Sequence, residues 1–302
     1  MTDSALIEAA DHAARHWQYQ VPGRLDRGGD EYMRMMSRML LDTFNPYKPA
    51  VIAWPKLADA ARQRLISLPI WDIAVQTEGP ARLRILAFAA RVTAQPLREA
   101  LERMAFEENR HKEVLSRLVA AYGIALAPEP EYVAPRDPEW AFMVTGYSEC
   151  IDSFFAFGLF ELARRSGFFP PELVETFEPV IQEEGRHILF FINWITWYKR
   201  RMPLWRRPWF LLKTAAVWLF LIRERIGIAR DVNGTPQDAN FTAKGSEAVV
   251  GEIDPAELLD ICLTENDRRL SGYDPRLIKP ATMPRLVRIA RRFMRRRARP
   301  AG

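Results

Sequence analysis

Two short stretches decide how this chain is read: Glu107-Glu108-Asn109-Arg110-His111 and Glu183-Glu184-Gly185-Arg186-His187, one E-E-x-R-H pattern repeated at an offset of 76 residues. With 23 Glu and 4 His in 302 residues, Glu-x-x-His is expected by chance only about 0.3 times. Each copy interrupts an apolar stripe with steps of three and four. The first stripe is Leu101, Met104, Glu108, His111, Leu115, Leu118; the second is Phe177, Val180, Glu184, His187, Phe191, Trp194, Tyr198. Such spacing keeps one residue per turn on a single helix face, the face a bundle turns inward. A lone carboxylate there is costly unless it is paired or bound to a metal. Two facing Glu-x-x-His pairs would meet that need by coordinating metal ions.

Working outward, the chain reads as helical almost throughout, without alternating β-branched runs. Four long segments are predicted: about Trp71 to Ala94, Pro96 to Gly123, Trp140 to Ser166, and from Pro170-Pro171 to Arg201. Pro80 and Pro179 fall inside two of them and are expected to kink or restart the helix. Short helices over Ser4 to Tyr19 and Asp30 to Phe44 precede the four. A Trp-rich apolar helix (Trp209 to Arg225), a polar loop (Asp231 to Ser246), a helix capped by Asp254-Pro255 and an arginine-rich tail follow. The expectation is an all-α protein: a four-helix bundle over 70–201, an N-terminal helical extension over 1–69 and a C-terminal one over 202–302.

A metal site in such a bundle needs one further carboxylate from each of the other two helices. On the first helix Glu78 is the only acid of its stripe, with Trp71, Ala74, Ile85, Phe88 and Val92. On the third, Glu149 and Asp152 share a stripe with Phe142, Thr145 and Leu159. Glu78 lies 30 residues before Glu108 and Glu149 lies 35 before Glu184, separations that bring each acid level with its partner across an antiparallel pair. Asp152 would sit one turn away, as an alternative ligand or as a partner to a ligand histidine. Four carboxylates and two imidazoles suit iron or manganese, whereas structural zinc prefers thiolates. The competing reading is a metal-free bundle in which these acids pair with arginines such as Arg82, Arg110 and Arg186.

At residues 70 to 201 the pattern E…E-x-x-H…E…E-x-x-H resembles the ferritin-like diiron-carboxylate superfamily: rubrerythrins, the ribonucleotide reductase small subunit, multicomponent monooxygenases and acyl-carrier-protein desaturases. The resemblance implies two irons, with manganese or a mixed pair as variants. Glu78, Glu108 and His111 would serve one ion and Glu149, Glu184 and His187 the other, with Glu108 and Glu184 bridging. It also implies that Glu107 and Glu183 hydrogen-bond the ligand histidines. The activity implied is O2-dependent oxidation (hydroxylase, oxygenase or desaturase) of an apolar or carrier-bound small molecule, fed by an electron donor. Trp71, Phe88, Phe142, Phe191 and Trp194 would keep the pocket apolar. Other readings are a metal-handling or peroxide-scavenging protein without organic substrate, and a non-catalytic membrane or nucleic-acid adaptor.

Composition narrows the setting. Apolar residues make up 48% and charged residues 27%, which excludes a disordered or low-complexity chain. Cys150 and Cys262 are the only cysteines and form no C-x-x-C, which excludes a disulfide scaffold or zinc-thiolate site and suits a reducing cytoplasm. The N-terminus lacks the apolar core of a secretory signal, and the Pro208–Ile222 run is too short to span a bilayer. The net charge of +5 resides in the tail, where Arg285 to Arg299 holds eight arginines and no acid. That tail could meet an anionic membrane surface on the inner face or an acidic protein; nucleic acid is not expected, and a homodimer is compatible. His12 and His16 are read as a solvated face, Cys150 as an inert thiol, and Tyr147 and Tyr198 as packing. Trp205, Trp209, Trp218 and Phe220, behind five cations, resemble an interfacial anchor or a helix packed on the bundle or at a dimer interface.

Overall fold

The computed structural model describes residues 3–68, 71–167, 169–230 and 254–297. Among these the protein is all-helical, its only strand-like pairing being a single bridge between Trp17 and Tyr273. Four long helices occupy the anticipated segments: α4 (Trp71–Ala89), α5 (Gln95–Tyr122), α6 (Pro138–Ser166) and α7 (Pro171–Arg201). Their ends are set locally. Asp137 accepts the Trp140 amide while Pro138 supplies a preset first turn, so α6 starts there. Gly123 and Gly167 end α5 and α6 with φ of 69° and 65°, the left-handed cap glycine adopts without strain.

α4 packs on α5 and α6, α6 on α7, and α5 on α7. The residues between them form an apolar core: Ile85 and Phe88 of α4, Leu101 and Met104 of α5, Phe142 of α6, and the run Ile188 to Phe191 with Trp194 of α7. Flanking helices close over it. α1 (Asp3–Arg15) touches α7, and α2 (Asp30–Asp42) lays Met35, Met36, Met39 and Leu40, all fully buried, against α5 and α7. α8 (Arg207–Arg230) adds Phe210, Val217 and Leu221 on the α6 side. α9 (Pro255–Leu270) packs on α6 and α7, close enough that a Cβ on Gly158 would lie 2.2 Å from the Cys262 sulfur. α10 (Thr282–Arg297) rests on α6 and α9.

Three features add to or depart from the sequence reading. A short helix, α3 (Asp59–Ser67), was not anticipated, because its single buried seam, Ala61 and Leu65, is too brief to show a period. The arginine-rich tail is helical to Arg297, with Val287 buried against α6 and α9. Pro80 and Pro179 interrupt neither α4 nor α7. In α4 the Tyr132 side chain, whose hydroxyl proton goes to Glu129, packs beside the Gly79-Pro80 step. Pro80 cannot donate to the Gln76 carbonyl, and the Tyr132 hydroxyl lies 3.4 Å from that oxygen. Gly79 makes this approach possible, since a Cβ there would sit 2.4 Å from the Tyr132 ring. The polar loop Asp231–Ser246 lies outside the described residues.

Candidate metal centre

The two E-E-x-R-H copies face each other across the core. His111 and His187 are fully buried, with ring centroids 5.6 Å apart. Ligand atoms of Glu78, Glu108, His111 and Glu184 all lie within 4.8 Å of one another, as do those of Glu108, Glu149 and His187. All six anticipated residues therefore converge, in two groups sharing Glu108. One group takes its acids from α4, α5 and α7; the other draws on α5, α6 and α7.

Around these groups the repeat is cross-wired. Nε2 of His187 lies 2.7 Å from Glu107 on the opposite helix, and Nε2 of His111 lies 2.8 Å from Glu183. The arginines cross in the same sense. Arg186 reaches Glu107 at 3.1 Å and Arg110 reaches Glu183 at 2.5 Å. Each arginine is then fixed by the N-terminal extension. Arg186 donates to Thr43 Oγ1 (2.7 Å) and the Leu40 carbonyl (2.8 Å), and Arg110 to the carbonyls of Asn45 (2.6 Å) and Tyr47 (3.2 Å). The Tyr47 hydroxyl donates to Glu183 at 3.3 Å, and the Ser153 hydroxyl to Glu184 at 3.5 Å. Thr43, Tyr47 and Ser153 were not anticipated. They sit in no repeat, and nothing local distinguishes them from ordinary loop and helix residues.

These bonds fix the imidazole orientation. With Nε2–H given to a carboxylate, Nδ1 presents its lone pair inward. There it meets oxygen: His187 Nδ1 is 2.9 Å from Glu108 Oε1, and His111 Nδ1 is 3.1 Å from Glu184 Oε1. Neither approach has hydrogen-bond geometry. Glu108 Oε1, His111 Nδ1, His187 Nδ1 and both Glu149 oxygens are buried without a hydrogen-bond partner. Buried groups rarely remain so. A separation near 3 Å is also that of adjacent ligand atoms around an ion with bonds of roughly 2.1 Å. The residues thus fit a pair of cations on both counts, donor set and unsatisfied atoms, and they outnumber what Arg110 and Arg186 neutralise.

The electrostatics agree. Burial, then the neighbouring Glu108 charge, pushes the carboxyls of Glu78 and Glu149 well above the ordinary range. Burial also opposes ionisation of Glu107, yet Arg186 and His187 overcome it and hold that carboxyl at about 2. For His111 and His187 burial favours the neutral ring, but the facing carboxylates raise both well above the ordinary value. Without metal, protons do the work that cations would do.

Asp152 is not part of either group. Its carboxylate is held by Arg225 of α8 at 2.9 Å and by the Ser148 hydroxyl at 2.9 Å, so it ties α8 to α6 and does not orient a histidine. Arg186 and Arg110 pair with Glu107 and Glu183, not with the six converging residues. Tyr198 stacks on Trp194 and donates to Glu139 at 2.5 Å, and Tyr147 packs edge-on against Phe191. His12 near the end of α1 and His16 just beyond it are exposed and stacked on each other. Cys150 is a buried free thiol whose burial raises its pKa well above the usual value.

No protein-family model, curated protein or solved structure matches this chain.

Proposed function

We propose that α4–α7 form a ferritin-like four-helix bundle holding two iron ions, and that the protein is an O2-dependent oxidoreductase of hydroxylase, oxygenase or desaturase type. The observation that carries this reading is the pair of cross-supported Glu-x-x-His groups whose buried inward atoms lack partners. Glu78, His111 and Glu184 would hold one ion and Glu149 and His187 the other, with Glu108 common to both groups; Glu184 thus falls with Glu78 and His111, not with Glu149 and His187 as the resemblance implied. A reduced iron pair supplies the electrons with which O2 becomes an oxidant strong enough for an unactivated substrate.

The chain's own residues prepare that chemistry. Glu107 and Glu183 retain the Nε2 protons, so both Nδ1 atoms stay free for metal. Arg186 helps keep the Glu107 carboxylate ionised, and Arg110 anchors Glu183 through an ion pair. Phe88, Phe142, Phe191 and Trp194 form one contiguous aromatic group on the helices that carry the cluster, which favours an apolar or carrier-bound substrate, while Trp71 packs in a separate cluster. Electrons would come from a separate donor.

The test is elemental analysis after expression with iron, beside His187→Ala, followed by O2 uptake of the reduced protein. About two irons per chain, sharply reduced in the variant, with O2 consumption on reduction, is the expected result. Iron bound without O2 consumption would remove the oxidoreductase reading and leave a metal-handling protein.

A further inference from the structure

From Pro208 to Ile222, α8 is apolar around its whole circumference, with Lys213 the single charge. One seam is packed: Phe210, Val217 and Leu221 are buried, and Lys213 is held by Asp137 and Glu139, each at 2.9 Å. The rest is bare. Trp209 is 70% exposed and Leu219 68%, and the turn before the helix adds Leu204 at 72% and Trp205 at 71%. A helix apolar all round is ordinarily enclosed, and a contiguous exposed patch of this kind marks an interaction surface.

Charge indicates what covers it. At the foot of α8, Lys199, Arg200, Arg201 and Arg207 line a surface groove whose only acid is Asp26. Arg201 is paired with Asp30, but among the described residues Lys199, Arg200, Arg206 and Arg207 have no ion-pair partner. Arg207 spends its guanidinium on the Arg200 carbonyl, leaving its Nε buried and unpartnered. A second copy meeting this face about a two-fold axis would set like charges together; an anionic surface would neutralise them.

We propose that this face docks on an anionic phospholipid surface, with headgroup phosphates in the basic groove and Leu204, Trp205, Trp209 and Leu219 in the acyl boundary. No helix among the described residues is long and apolar enough to cross a membrane, and α8 would lie in the plane of the interface with its tryptophans at the headgroup–acyl boundary. α10 extends the same chemistry. Leu286, Ile289 and Phe293 are exposed there beside Arg285, Arg288 and Arg292, and both helices pack on α6. The inference does not depend on the metal centre.

The experiment is flotation of the full chain with phosphatidylcholine vesicles, with and without phosphatidylglycerol. Flotation with the anionic vesicles alone is expected. Arg200→Glu/Arg206→Glu and Trp205→Ser/Trp209→Ser should each weaken it about tenfold or more while helicity by circular dichroism is unchanged. If a variant loses helicity, the wild type still decides: its flotation must fall steeply with added salt. Absence of flotation with anionic vesicles, or binding indifferent to both variants, overturns the proposal. So does a dimer that dissociates in Trp205→Ser/Trp209→Ser, or retention of RNA, without vesicle binding.

Discussion

Glu107 on α5 does not serve His111, one turn away on its own helix; it holds His187 on α7, at 2.7 Å from Nε2. Glu183 returns the relationship to His111 at 2.8 Å. Each E-E-x-R-H copy thus supplies the outer support of the other.

Glu107→Gln tests the exchange. The variant weakens the hold on the His187 ring and leaves the fully buried Arg186 without its carboxylate. Loss of such a support lowers metal affinity about 10- to 100-fold, and breaking a buried pair from one side costs about 3–5 kcal/mol. Metal titration should show the ion at His187 weakened more than the ion at His111, with Glu183→Gln giving the converse. Equal weakening of both ions in both variants would contradict the crossing.

Glu149→Gln and Asp152→Asn separate two acids that share a helix face. Glu149 has two buried oxygens without partners, so its variant should lose metal. Asp152 is bound to Arg225 and partly exposed. Its variant should keep full metal content and lose only about 0–1 kcal/mol in thermal or urea unfolding.

The pH dependence has two opposing parts. Glu107 is depressed to about 2 from an ordinary 4.5, so its contribution to stability is complete above 4.5 and lost as pH falls toward 2. Glu108 is lowered too and follows Glu107, but four other groups of the metal-free centre behave oppositely. Glu78, Glu149, His111 and His187 all hold protons more tightly folded than unfolded. Their contribution is complete below their ordinary values of 4.5 and 6.5 and declines as pH rises through the folded ones. The apoprotein should therefore lose stability above pH 6.5, while metal affinity, which requires those protons to leave, should increase with pH. Unfolding with and without chelator across pH 5–8 checks both signs.

Gly146 sets the approach of α6 to α7. A Cβ there would lie 2.2 Å from the Phe191 ring, one turn from both Glu149 and His187. Gly146→Ala should cost about 1–3 kcal/mol by overpacking, and metal content should fall with it, since the substitution pushes apart the two helices that supply Glu149 and His187. Calorimetry and metal analysis on the same preparation test this.

The helices that carry the cluster were legible because a repeated polar pair on an apolar stripe has few physical explanations. Both histidines, both Glu-x-x-His acids, Glu78 and Glu149 follow from that spacing. Glu78 lies in a helix that continues through Gly79-Pro80, and the Tyr132 ring, from a loop more than fifty residues away in sequence, occupies the space beside Gly79. Long-range packing of that kind leaves no periodic trace. Asp152 was ambiguous for a related reason: period alone cannot separate an acid facing the core from one facing a neighbouring helix, and the deciding partner, Arg225, lies 73 residues later. Thr43 and Tyr47, which complete the support of Arg186 and Glu183, belong to the N-terminal extension and matter only once α2 has packed.

The exchanged carboxylates also bear on how the protein can be divided. The hairpin α4–α5 carries Glu78, Glu108 and His111, and α6–α7 carries Glu149, Glu184 and His187, yet the acid that steadies each ring belongs to the other half. Neither hairpin alone owns a finished site. A chain cut in the connection between Tyr122 and Pro138 would thus leave each histidine without the carboxylate that holds its Nε2 until the halves recombine.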